Sequence, residues 1–146
     1  HFHFVLRDKD EWNPQVYTHI VTPKVDKSFV KKRIHQKDAV IVNSLPKPIF
    51  QETKINENVL NIPEDKMTEK NKKYWKTKLI SFIKKKYPKI FDLIQSKQLK
   101  LEHVPIIVYC KNTKCKSAEK WIEKMLHFGY YNLFYYAGGF DDFEKK

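Results

Sequence analysis

Val104-Pro105-Ile106-Ile107-Val108-Tyr109-Cys110-Lys111-Asn112-Thr113-Lys114-Cys115-Lys116-Ser117-Ala118-Glu119-Lys120-Trp121 is the stretch on which the reading of this chain turns. A short apolar run gives way to a polar segment opened by Cys110, and an amphipathic pattern follows. Ile106 to Tyr109 is β-branched and aromatic, bounded by Pro105, and too short for a helix. It predicts a strand buried on both faces. From Ala118 the apolar residues fall at Ala118, Trp121, Ile122, Met125 and Leu126, one face of a helix, with Gly129 placed to end it. Cys110 therefore stands where a buried strand ends, on a loop that feeds a helix N-terminus. Such a start offers unpaired backbone N–H groups and the positive end of the helix dipole, which suit an anion. Those surroundings, with Lys111, Lys114 and Lys116 nearby, favour the thiolate over the thiol. A thiolate cradled by amides is a nucleophile towards a negatively charged sulfur or phosphorus centre. The same residues also fit a simpler role, since free cysteine is among the most buried residue types.

The continuation narrows the choice. Val104 to Cys110, the serine at the helix start, then Phe128-Gly129-Tyr130-Tyr131-Asn132-Leu133-Phe134-Tyr135-Tyr136-Ala137-Gly138-Gly139-Phe140 with Phe143 following, resembles the rhodanese-like domain. The features shared are an apolar strand ending in Tyr-Cys, an anion-binding loop, a helix closing on Gly and an aromatic, and a strand leading into Gly-Gly. The resemblance implies an α/β, three-layer domain with a central, mainly parallel sheet flanked by helices. It implies Cys110 as the catalytic nucleophile and Lys111, Asn112, Thr113, Lys114, Cys115, Lys116 and Ser117 as the substrate- or anion-binding loop. Gly138-Gly139 reads as a turn with positive φ.

Composition bounds the rest. The chain has 146 residues, 41% hydrophobic and 14% aromatic, which suits one folded domain with a real core. No apolar run approaches the ~20 residues of a membrane span, and the start lacks signal-peptide architecture. Two cysteines five apart make neither a secreted disulfide framework nor a four-ligand zinc pattern. A reducing, intracellular compartment, the cytoplasm, is the simpler reading. The net charge of +12 rests on 29 Lys and Arg, of which only Arg7 and Arg33 are arginine. Readers of bases and bidentate phosphate binders rely on arginine, so the excess is a poor nucleic-acid signature and reads mainly as solvated surface.

Along the chain, residues 1–16 read as an extension packed on or preceding the domain, and 17–146 as the domain. Tyr17 to Thr22 alternates and predicts an edge strand in which His19 is a partly buried strand residue. Ser28 to Ile34 predicts a short helix with Phe29, Val30 and Ile34 inward. Asp38-Ala39-Val40-Ile41-Val42-Asn43-Ser44 is the second strong strand. In the family the matching strand ends in Asp-x-Arg, where Asn43-Ser44-Leu45 stands here. Residues 46–66 read as a loop-rich region containing a short buried strand at Val59-Leu60-Asn61. There the family's Gly-His is replaced by Thr53-Lys54, while Ile55, Ile62 and Pro63 are retained. From Thr68 the period turns helical, with Tyr74, Trp75, Lys78, Leu79, Phe82 and Ile83 on one face. Pro88 ends or kinks that helix, and Ile90, Phe91 and Ile94 suggest a second, short one.

The resemblance implies a sulfurtransferase that passes a sulfane sulfur from a small anionic donor such as thiosulfate, through a persulfide on Cys110, to a thiol or cyanide-like acceptor. It needs no metal and no organic cofactor. A protein partner and the oligomeric state stay open. Two alternatives stand beside it. Cell-cycle phosphatases of the same fold use Cys-x5-Arg, and Cys110 to Lys116 has that spacing with Lys in place of Arg, which lacks the bidentate fork. Rhodanese-like domains also serve as interaction or regulatory modules. Cys115 is a candidate resolving thiol for an oxidised Cys110, against a plain packing role in the loop base. A separation of five around a tight loop can hold the two Cα atoms beyond the ~4.4–6.8 Å that a disulfide needs, which favours the packing role over the disulfide.

Overall fold

A computed structural model describes residues 5–8, 11–13 and 22–145, the first two spans as backbone only. In the first two, β1 (Val5–Asp8) and β2 (Glu11–Asn13) pair antiparallel as a separate two-stranded sheet. The edge strand expected at Tyr17–Thr22, with His19, lies outside the described residues apart from Thr22. Among the described residues the main sheet has four strands, all parallel, in the order β4 (Val59–Asn61), β3 (Val40–Asn43), β5 (Ile106–Tyr109), β6 (Leu133–Tyr136). Every residue of these four strands is buried. Such burial on both faces is what continuous β-branched and aromatic runs require. The segment after Thr22 adds to the β6 edge: Lys24 bridges Tyr135, whose N–H donates to Pro23 O at 2.9 Å.

Strand parity divides the core into two layers of side chains. On one face Val40, Val42, Leu60, Ile106, Val108, Leu133 and Tyr135 pack against three helices. These are α3 (Lys72–Lys86), α4 (Pro88–Gln95) and α5 (Ser117–His127), which contribute Trp75, Leu79, Ile83, Ile90, Trp121 and Met125. On the other face Ile41, Val59, Ile107, Tyr109, Phe134 and Tyr136 meet Val30, Phe29 and Ile34 of α1 (Lys27–Gln36). Phe140 and Phe143 of α6 (Gly139–Glu144) cover the same face. Helices on both sides of a parallel sheet make the three-layer α/β arrangement that the resemblance implies.

Three local expectations change. The region 46–66 contains a helix, α2 (Lys47–Thr53), with proline in its first turn. Pro48 is pre-organised for a first turn, so the prolines there open an element instead of excluding one. Tyr74 lies away from the α3 core face and is 53% exposed, with Lys78 Nζ 5.6 Å from its ring centroid. Gly138 has φ −63°, so only Gly139, at φ +64°, holds the left-handed conformation. The one arginine of α1, Arg33, is buried and donates from Nη1 to Asp38 Oδ2 at 2.8 Å. That guanidinium is thus spent inside the fold and offers nothing to a phosphate outside it.

Candidate functional site

The strand order 4-3-5-6 fixes where a crevice opens. From β3 the chain moves to β4 on one side, then returns past β3 to β5 and on to β6. The reversal falls between β3 and β5, and ligands of open α/β sheets bind beyond the carboxyl ends of strands at such a point. Register pairs Asn43 with Tyr109, so the next residues out are Ser44 and Cys110. Ser44 N–H donates to Tyr109 O at 3.1 Å, which holds the two strand ends together.

Beyond Tyr109 the loop turns over itself into α5. Asn112 organises it: Lys114 N–H donates to Asn112 Oδ1 at 3.0 Å, and Cys115 N–H to Asn112 O at 3.1 Å. Two of the amides expected to face an anion are therefore committed within the loop. Cys110, 2% exposed, is disulfide-bonded to the half-buried Cys115, with Cα atoms 6.4 Å apart. That separation lies inside the span a disulfide can bridge, so the disulfide stands where the spacing favoured packing alone. Ser117 opens α5, yet its hydroxyl makes no helix cap. Its Oγ lies 2.8 Å from Ser44 Oγ and 3.4 Å from Cys115 Sγ. Ser44 Oγ in turn donates to Tyr109 O at 3.3 Å. A line of hydroxyls thus runs from the end of β5 to the second sulfur.

The cations of the loop are not free to act alike. Lys111 Nζ sits 3.0 Å from Asp141 Oδ1, and Asn112 Nδ2 donates to Asp141 Oδ2 at 2.9 Å. These bonds, Asn112 first and then Lys111, hold the Asp141 carboxyl below the ordinary aspartate range. Lys116 Nζ lies 3.8 Å from Glu119 on an exposed surface. Thr113 and Lys114 are exposed, and Lys114 has no ion pair among the described residues. So the structure gathers Cys110, Cys115 and Ser117, ties Lys111 and Asn112 to α6, and leaves Thr113, Lys114 and Lys116 at the rim.

Backbone contacts brace the loop from behind. Phe140 N–H donates to Cys110 O at 3.0 Å, and Asp141 N–H to Lys111 O at 2.9 Å. This approach is close enough that a Cβ on Gly139 would stand 2.4 Å from Cys110 O. On the β3 side, the missing family pair is replaced by amides. Asn43 Oδ1 accepts from Leu45 N–H at 2.9 Å, and Asn43 Nδ2 donates to Thr53 Oγ1 at 3.0 Å. Asn61 Nδ2 reaches the carbonyls of Asn43 and Leu45 at 3.1 and 2.8 Å. Tyr109 OH donates to Thr53 O at 2.7 Å, and burial pushes that phenol up to about 12. Thr53, the first of the pair Thr53-Lys54 that stands for the family's Gly-His, is thus the polar hub beneath the site.

Sequence reasoning did not single out Ser44 or Asp141. For Ser44 the signal was its place one residue past a buried strand. Asp141 sat just after Gly-Gly, but its partners are 29 and 30 residues away and carry no local pattern.

Comparison with known proteins agrees with this architecture. The family model of the rhodanese-like domain matches residues 26–146. The chain belongs to the rhodanese-like domain family. Among solved structures it is similar to the human single-domain sulfurtransferase TSTD1, with TM-score 0.56, 16% identity, and coverage of 86% of this chain and 100% of that one. The Saccharomyces cerevisiae single-domain sulfurtransferase RDL2 gives TM-score 0.56 and 16% identity over 87% of this chain and 92% of that one. The BH2092 protein of Bacillus halodurans gives TM-score 0.54 and 16% identity over 81% and 68%. At such identities the likeness is one of fold. No curated protein matches the chain. Among the described residues, no helix is long and apolar enough to cross a membrane.

Proposed function

We propose that this protein is a sulfurtransferase that carries a sulfane sulfur on Cys110. The observation that supports it is a cysteine at the carboxyl end of the central strand β5, beside the β3–β5 crevice and ahead of the α5 N-terminus, in a rhodanese-like chain. In the dithiol form the Cys110 thiolate attacks the outer sulfur of thiosulfate. The sulfur–sulfur bond breaks, sulfite leaves with its electron pair, and a persulfide remains on Cys110. A thiol or cyanide then attacks the outer persulfide sulfur, takes it, and restores the thiolate. Each step is a displacement at sulfur, and none calls on a metal or organic cofactor. Loop amides and the exposed Lys114 and Lys116 favour an anionic donor at the rim. The working form is the reduced one, which suits a reducing compartment such as the cytoplasm.

The test is thiocyanate formation from thiosulfate and cyanide by protein that has been reduced and freed of reductant. Cys110→Ser should abolish turnover while leaving the circular dichroism spectrum unchanged. Turnover retained in that variant would remove Cys110 from the assignment. Hydrolysis of an aryl phosphate without any sulfur transfer would favour the Cys-x5-Lys phosphatase reading. No added sulfur on the protein with several donors would favour an interaction module.

A further inference from the structure

We infer that Cys115 resolves the Cys110 persulfide, so that the chain releases the sulfur as hydrosulfide and closes the Cys110–Cys115 disulfide. The inference rests on the persulfide reading given above and names a different fate for the sulfur. It starts from the bond itself. Cys110 and Cys115 are joined across the loop with their Cα atoms 6.4 Å apart, while the loop keeps its Asn112 turn and both backbone bonds to α6. The folded loop therefore lets Cys115 Sγ reach Cys110 Sγ. In the persulfide, Cys110 Sγ is the inner of two sulfurs. Attack by the Cys115 thiolate at that inner atom forms the bond seen in the structure and breaks the bond to the outer sulfur.

The electrons balance without an outside oxidant. The outer sulfur leaves as hydrosulfide, taking the bonding pair and a proton, and is reduced. The two cysteine sulfurs are together oxidised to the disulfide. Hydrosulfide is a weaker base than an alkyl thiolate, so it is the better leaving group of the two. Attack at the outer sulfur would only move the persulfide to Cys115.

The surroundings of Cys115 support its part as attacking thiol. Ser117 Oγ lies 3.4 Å from its sulfur and 2.8 Å from Ser44 Oγ; when Cys115 is charged, Ser117 donates to the sulfur and Ser44 turns its own proton from Tyr109 O to Ser117 Oγ, while Tyr109 O still accepts from Ser44 N–H at 3.1 Å. Exposure sets the return step. Cys110 is 2% exposed, whereas Cys115 is half-buried at the rim among exposed lysines. A dithiol reductant therefore meets Cys115 first. Its thiolate attacks Cys115 Sγ, and Cys110 leaves as the thiolate. The second thiol of the reductant then displaces Cys115 and ends as a disulfide. The overall reaction reduces a sulfane sulfur to sulfide at the expense of a dithiol.

A single turnover tests this. Reduced protein, freed of reductant and kept anaerobic, is given one equivalent of thiosulfate and no acceptor. Sulfite, sulfide and intact mass are then followed together. The expected result is sulfite and sulfide in equal amounts, with protein two hydrogens lighter than the dithiol. Cys115→Ser should release sulfite, retain one extra sulfur and yield no sulfide, and Cys115→Ala serves as a second version of the same trap. Wild-type protein that releases sulfite but keeps the extra sulfur would overturn the inference and leave sulfur transfer to an external acceptor standing. Sulfide release from Cys115→Ser at the wild-type rate would also overturn it. An absence of sulfite would overturn both readings.

Discussion

Ser117 joins the two ends of the site through one oxygen. Its hydroxyl bridges Ser44, one residue past β3, and Cys115, two residues before it in the chain. A hydrogen bond to a charged sulfur is typically worth about 1.5–3 kcal/mol, so losing it should matter to the step in which Cys115 attacks. Ser117→Ala is expected to slow sulfide release about tenfold or more relative to sulfite release, by that same magnitude. Ser117→Thr should restore the ratio, because it keeps the hydroxyl. Rapid-quench measurement of the two products checks this, and an unchanged ratio in Ser117→Ala would assign the hydroxyl a packing role alone. The sequence shows a serine at the helix start, and the resemblance makes it the last residue of the anion-binding loop. One of its two partners, Ser44, comes from the end of a different strand, and no local pattern encodes that contact.

The elements around the loop show how far sequence reading reaches. β3 and β5 were legible because runs of four buried residues leave little choice of conformation, and α5 because its apolar face repeats at helical spacing. The helix α2 was not, because Pro46 and Pro48 punctuate loops and helix starts alike. Cys110 was found by its place at a strand end, whereas the disulfide depended on how tightly Asn112 folds the loop, which spacing alone leaves open. Gly139 was expected to serve geometry, and both reasons are visible: φ is +64°, and the carbonyl of Cys110 passes where a side chain would begin. Gly139→Val should therefore destabilise by about 3 kcal/mol, the upper end for a strained backbone residue. A chemical-denaturation midpoint equal to wild type would show that α6 can retreat from the loop at no cost. Gly138 has ordinary helical φ, so its constraint is only crowding against the Asp142 side chain.

At the scale of the whole molecule, the disulfide closes too small a ring to hold the fold. With a sequence separation of 5, chain-entropy reasoning gives about 2 kcal/mol. The two buried side-chain layers, anchored by Trp75, Trp121, Tyr109 and Tyr136, do not depend on it. Reduction should lower the melting temperature by roughly 4–8 °C, at 2–4 °C per kcal/mol for chains of about this size. Scanning calorimetry with and without a phosphine reductant measures this. Loss of the cooperative transition on reduction would make the bond a structural staple instead. Asp141 adds a milder acid sensitivity. Its lowered carboxyl favours the tied loop at any pH above the ordinary aspartate range, and the tie is lost as pH falls through the lowered value.

The brace between Cys110 and α6 bears on engineering. A protein designer who wished to move this loop to another scaffold could not copy Cys110 to Ser117 as one peptide. The carbonyls of Cys110 and Lys111 are held by amides at 140 and 141, and the side chains of Lys111 and Asn112 by a carboxylate at 141. The smallest transplantable unit is therefore two separate segments with a glycine hinge between strand and helix in the second. A host would have to present β5 and β6 as parallel neighbours before the graft could take its shape.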